Sequence, residues 1–238
     1  MKYQIGCSGY YYPQWKDKFY PSGLQPKNWL EHYSSIFNSV ELNGTFYRTP
    51  TVTSLQKHVD LTPEDFTFSV KMNRSITHIQ RLKEKGSIHD FQELILNGLG
   101  KKLSHFLFQM PPSFHFNEQN LKRVTDHIPH TSQNVIEFRH VSWWNQETEQ
   151  ALKDAHLIFC NVDFPGLKTH FIHTKDFYLR LHGNPELFIS SYTTEQLKAF
   201  YQQIPEECKS CSVYFNNTMY EAGYKNALEF MEIANVPA

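Results

Sequence analysis

The chain of 238 residues contains no apolar run long enough to cross a bilayer. It also opens without a charged-then-apolar leader, passing straight into the strand-like Tyr3-Gln4-Ile5-Gly6-Cys7, and a cytoplasmic protein with no membrane role is the expectation. Neither sign of charge is in excess: 23 Lys and Arg face 24 Asp and Glu, for a net charge of −1. That balance argues against a protein that coats nucleic acid by bulk electrostatics, and leaves room only for a local basic patch. No stretch rich in Pro, Ser or Gly interrupts the chain, so residues 1–238 are read as one domain. Cysteine is scarce. Cys7 and Cys160 lie in apolar runs and read as buried thiols; Cys208-x-x-Cys211 lacks the second pair or neighbouring His pair that a zinc site needs.

What is present is a repeating grammar. Apolar strand-like runs end in polar groups again and again, as in Val40-Glu41-Leu42-Asn43, Phe106-Leu107-Phe108-Gln109 and Val135-Ile136-Glu137-Phe138-Arg139. Strands are expected at 3–8, 38–43, 66–71, 104–110, 134–139, 157–163, 176–182 and 211–216. Helices fall between them at 27–37, 51–59, 88–99, 118–127, 145–155, 192–203 and 221–234, several opened by a capping residue: Thr51, Asn117, Asn145 or Thr193. Alternation of strand and helix implies parallel strands and right-handed crossovers, and eight units imply a TIM-like (β/α)8 barrel. The crossover between strands six and seven, around Pro165-Gly166, carries no helical pattern and is expected to be irregular.

Two loops on the polar end stand out. The first, residues 9–21, is dense in aromatics. The second, after strand three, carries Lys71, Arg74, Arg81, Lys83 and Lys85 against Glu84 alone.

These segments resemble the YecE-like family, domain of unknown function 72, over essentially the whole chain. The resemblance rests on Gly6-Cys7-Ser8-Gly9 with Trp15, Phe37-Asn38-Ser39-Val40-Glu41-Leu42-Asn43, Phe46-Tyr47-Arg48 and Phe108-Gln109-Met110-Pro111-Pro112. It continues in Glu137-Phe138-Arg139 with Trp143, Arg180-Leu181-His182-Gly183 and Tyr214-Phe215-Asn216-Asn217. It implies a TIM-like barrel and assigns no activity.

Strand parity gives an inward set of Gln4, Ser8, Glu41, Asn43, Lys71, Gln109, Glu137, Arg139, Asn161, Asp163, Arg180, His182 and Asn216. Charges buried only to fill volume stabilise a barrel less than Val, Ile or Leu do, which favours a ligand site over a closed network of ion pairs. The reading is therefore an enzyme of hydrolase, lyase or isomerase type, with no cofactor, acting by acid-base chemistry on a phosphorylated or polyhydroxylated, nucleotide-like ligand. Glu41 and Glu137 are expected as acid and base facing each other across the substrate, with His182 as a third catalytic group. Lys71, Arg139 and Arg180 would hold an anion, with Asn43, Gln109, Asp163 and Asn216 as further ligand contacts. Trp15 and Tyr47 would stack a ring or, equally, form a hydrophobic lid over the barrel's top, and His78 would shuttle protons. A metal on Glu137, Asp163 and His182 is disfavoured by the three inward cations. The rival readings are a nucleic-acid-binding module, a non-catalytic anion or small-molecule binder, and a barrel paired only with itself; the oligomeric state stays open.

Overall fold

A computed structural model describes residues 1–131, 133–167 and 170–237. Eight strands run in chain order: β1 (Lys2–Cys7), β2 (Ser39–Leu42), β3 (Thr67–Lys71), β4 (Leu103–Gln109), β5 (Asn134–Glu137), β6 (Ile158–Asp163), β7 (Phe177–Leu181) and β8 (Ser210–Phe215). All pairings are parallel, in the order β1-β8-β7-β6-β5-β4-β3-β2, which is a nearly closed TIM-like barrel.

The helices are α1 (Trp29–Ser34), α2 (Gly44–Tyr47), α3 (Val52–Asp60), α4 (Lys85–Leu99), α5 (Glu118–His127), α6 (Gln146–Asp154), α7 (Thr194–Tyr201) and α8 (Ala222–Ile233). Four begin where the sequence placed a cap. The side chains of Thr51, Asn117, Asn145 and Thr193 each accept a backbone N–H of the first turn, satisfying a donor that the helix itself leaves orphaned.

Local chemistry explains where expectation and structure part. The helix expected over 27–37 is only a 3₁₀ turn, Pro26–Asn28, followed by α1. The one-turn α2 directly after β2 carried no periodicity long enough to announce it. In the basic stretch, the Asn73 carboxamide accepts from the Ser75 N–H and hydroxyl, and a wide helical turn over Ser75–Ile79 follows. The described residues between β6 and β7 form no helix.

The β1–β2 edge is where the ladder stops, and side chains take its place. The Asn38 carboxamide accepts from Ile5 N–H at 2.9 Å and donates to Tyr3 O at 3.1 Å. Above it, the Tyr33 hydroxyl accepts from Cys7 N–H at 2.7 Å and donates to Ser39 O at 3.1 Å. These four edge groups are thereby paired, as burial requires.

Outward faces of the strands meet the helices in an aromatic-rich core; Phe138 stacks flat on Trp143 at 3.9 Å. On β1, β2, β3, β7 and β8 the inward faces are polar from the base upward. Gln4 bridges Thr67 and Ser212, Ser39 joins Tyr214, and Ser69 joins Tyr178. This interior departs from the branched aliphatic layers that usually fill such barrels.

Candidate functional site

The polar interior culminates in a charged layer at the C-terminal end of the barrel. Arg180, on the inward face of β7, has no solvent exposure and lies between the two glutamates. Its Nη2 donates to Glu41 Oε1 at 2.6 Å and its Nη1 to Glu137 Oε2 at 2.6 Å. Glu41 accepts three further hydrogen bonds, from Arg180 Nε at 3.1 Å, the Ser8 hydroxyl at 2.7 Å and the Tyr178 hydroxyl at 2.8 Å. Glu137 also accepts from Arg139 Nε, and the Cys160 thiol lies 3.8 Å from its second oxygen. The expectation that the two carboxylates face each other across an open space is corrected here: a guanidinium occupies that space.

Electrostatics follow from the geometry. Burial alone would raise the Glu137 carboxyl, but Arg139 and Arg180, with His182 and Lys71 behind them, hold it well below the usual carboxylate range. His182 Nε2 accepts from Arg139 Nη2 at 2.9 Å and Arg180 Nη1 at 3.2 Å. Because arginine can only donate, Nε2 carries no proton and the ring is the neutral Nδ1–H tautomer. Burial, followed by the two guanidiniums, pushes its pKa well below the ordinary imidazole value. Its Nδ1 has no partner among the described residues.

Two carboxylates and two guanidiniums thus neutralise each other, and Lys71 is left over. Its ammonium sits at the end of β3, donates to the neutral Gln109 Oε1 at 2.6 Å and lies 4.3 Å over the Phe46 ring. No carboxylate pairs with it among the described residues. Burial first, and Arg180 second, bring its pKa down to about 8. Neighbouring His78, edge-on to Phe46, is lowered to about 4 by burial and by Lys71, Arg74, Arg139 and Arg81. The mouth of the barrel carries positive potential, and His78 is neutral there near pH 7.

Glu41, Glu137, Arg139, Arg180 and His182 come together as one network, with Lys71 and Gln109 at its rim. Asn43 reaches Ser8 O with its amide at 3.2 Å; Asn216 follows β8 on the inward face and is half-buried. Asp163 does not join them. On β6 it is Cys160 that faces Glu137, so Asn161 and Asp163 point the other way. Asn161 pairs twice with the backbone of Ile172, and the Asp163 carboxylate accepts from Tyr192 and Asn184, outside the charged layer. Trp15 is also corrected: it has no exposure, is packed among Tyr12, Phe19 and Tyr224, and donates its indole N–H to Tyr220 O, so no ring face is free to stack a ligand. Tyr47 is 79% exposed, its ring edge-on to Phe46 at 5.0 Å.

Residues not anticipated are Tyr178, which shares parity with Arg180 and His182 and was findable on that ground, Phe46 on the one-turn α2, and Phe164 just after β6. Phe164 lies 4.2 Å beneath the Arg139 guanidinium. Among the described residues no group of three or more His, Cys, Asp or Glu side chains could hold a metal ion, and the four cysteines are free thiols.

Comparison with known proteins agrees with this architecture. A crystal structure of a DUF72 family protein, TM1631 from Thermotoga maritima MSB8, superposes with a TM-score of 0.88 at 29% identity, covering 99% of this chain and 100% of that one. A second, EF0366 from Enterococcus faecalis V583, shares the fold with a TM-score of 0.82 at 19% identity, over 99% of this chain and 96% of that one. The UPF0759 protein YunF of Bacillus subtilis (strain 168) is 25% identical over 257 residues, 92% of this chain and 91% of the relative. The model of the family described as "Protein of unknown function DUF72" matches residues 4–238, and the chain belongs to that family.

Proposed function

We propose that this protein is an enzyme, working without an organic cofactor, on a small phosphorylated or polyhydroxylated anion seated at the C-terminal mouth of the barrel. Lys71 is the group that binds the anion and exchanges a proton with it. Arg139, Gln109 and Asn216 surround the ligand, and the Glu41–Arg180–Glu137 bridge is a rigid floor beneath it. The observation that carries this reading is the ammonium of Lys71, partly desolvated yet held only by a neutral amide. An unpaired charge in such a place is costly, and a ligand phosphate or carboxylate relieves that cost. Its lowered pKa brings the free amine within reach at neutral pH, as general base chemistry requires. His78, neutral and adjacent, is the second proton-transfer group. Glu41 and Glu137 act through position, since both are saturated by donors. Four free thiols suit a reducing, cytoplasmic setting.

Calorimetry with a panel of sugar phosphates and hydroxy acids, on the wild type and Lys71→Met, tests this. The proposal expects at least one anion to bind and the variant to lose it. Equal binding by both proteins, or none by either, sinks it.

A further inference from the structure

An open cavity lies beside the charged layer rather than over it. It is a cleft of 650 Å³ to one side, between the loop after β1 and the segment running from β2 into α3; it meets the buried network through Ser8 and Asn43, and its rim through Thr45, whose hydroxyl donates to Lys71 O at 2.6 Å. It continues into a second hollow of 410 Å³ that shares Tyr10, Tyr11, Ser54 and His58 with it. No Asp or Glu lines either part, whereas Arg48, Lys27 and Lys57 do, in a chain whose 23 Lys and Arg are slightly outnumbered by 24 Asp and Glu. Arg48 is exposed and has no carboxylate partner among the described residues.

The tyrosines on the wall are fixed from behind. His58 Nδ1 donates to Ser54 O at 2.7 Å, which leaves Nε2 to accept the Tyr10 hydroxyl at 3.1 Å. The Tyr12 hydroxyl donates to Ser8 O, and the Tyr11 ring packs on Trp29 at 4.9 Å while remaining 58% exposed. The polar tips of Tyr10 and Tyr12 are used internally, so these two offer the cleft ring surface, and Tyr11 adds an exposed ring held against Trp29. A rigid aromatic wall loses little entropy when a flat ligand lies against it.

We propose that this cleft is a ligand site separate from the barrel mouth, taking a small anionic ligand that carries a planar ring: the ring rests on the tyrosine wall and the anionic group is held by Arg48. Its volume falls in the range of about 300–1,000 Å³ typical of small-molecule sites. Lys27 and Lys57 extend the positive field along the second hollow and would receive a longer anionic tail.

The test is calorimetric titration of the intact protein with adenosine 5′-monophosphate, adenosine and inorganic phosphate separately. The monophosphate is expected to bind at least about tenfold more tightly than either fragment, since ring and charge are recognised together. The same titrations are run on Lys71→Met, in which the barrel mouth is disabled: the monophosphate should still bind there, and Arg48→Ala and Tyr11→Ala, both exposed positions that leave the core intact, should each weaken that binding by about tenfold. No binding, binding indifferent to Arg48 and Tyr11, or binding lost in Lys71→Met instead, overturns the proposal. The last outcome would at the same time leave the mouth reading standing.

Discussion

The hydroxyl of Tyr33 occupies the space that a side chain on Gly6 would need. A Cβ built on Gly6 would lie 2.6 Å from that hydroxyl and 2.0 Å from Ser39 O. Tyr33 can therefore enter the β1–β2 edge and pair Cys7 N–H with Ser39 O only because residue 6 is glycine. Barrel closure at this edge depends on a side chain in place of a backbone ladder.

Gly6→Ala should force the two strands apart and destabilise the fold by on the order of 3 kcal/mol or more, as overpacking into backbone does. Tyr33→Phe keeps the ring but leaves Cys7 N–H and Ser39 O without their partner, at a cost of about 1–3 kcal/mol. Urea unfolding of both variants checks this. A Tyr33→Phe midpoint equal to that of the wild type would mean the hydroxyl is not what closes the edge.

Arg180 is shared by two buried carboxylates, so removing it exposes each to the other. Arg180→Met should cost about 3–5 kcal/mol at pH 7, the usual effect of orphaning a buried charge. The sign with pH separates this from simple loss of packing. In the wild type, Glu137 has a lowered pKa, so its contribution is fully present above the ordinary carboxylate value and is lost as pH falls. In the variant Glu137 keeps Arg139 but Glu41 has no cation, so protonation relieves the repulsion between the two carboxylates and the deficit relative to wild type should shrink on acidification from pH 7 to 5. A deficit that stays constant across that range would show that the guanidinium matters for its volume alone.

Asp163 anchors a loop. Its carboxylate accepts from the Tyr192 hydroxyl at 2.7 Å, and that same hydroxyl accepts from Gly183 N–H at 2.8 Å. Asp163→Asn should loosen the segment after β7, lowering stability by about 1 kcal/mol, while anion affinity at the mouth stays at the wild-type value. Thermal unfolding and calorimetry together read both effects. Loss of anion affinity would return Asp163 to the ligand site.

The barrel, its strand ends and four of its helix starts were legible in the sequence, because side-chain parity and capping are local. Glu137 and Arg139 alternate with Ile136 and Phe138, and that alternation alone placed the charged pair inside. Parity misled on β6, where the polar Asn161 and Asp163 looked like the inward set and the apolar-looking Cys160 and Val162 hold that face. The loop at 170–176 supplies Asn161 with backbone partners outside the barrel, which no local pattern announces. Trp15 was misplaced for a similar reason: density of aromatics does not tell a stacking platform from a packed lid. That Arg180 would saturate both glutamates depends on distances across the barrel, which sequence spacing does not contain.

Lys71 makes the sharpest prediction with pH. Its pKa is about 8 in the folded protein against an ordinary value of 10.5, so between those two the unfolded chain holds a proton that the folded one has released. The unfolded state then binds more protons, and stability rises with pH across that window; below about 8 the cost of the buried ammonium is fully present. Arg180 and Arg139 add to that cost, and Glu137 and Glu41 offset part of it. Lys71→Met should therefore be more stable than wild type at pH 7, by on the order of 2 kcal/mol once solvent at the mouth is allowed for, and the advantage should fade towards pH 10.5. Anion binding runs in the opposite sense. It needs the ammonium, so wild-type affinity should fall as pH passes through about 8 or somewhat higher, because a bound anion itself holds the proton on. Chemical unfolding and calorimetry over pH 6.5 to 10.5 check the two curves. A flat affinity across that range, with Lys71→Met no more stable than wild type at pH 7, would remove Lys71 from the site and the proposed chemistry with it.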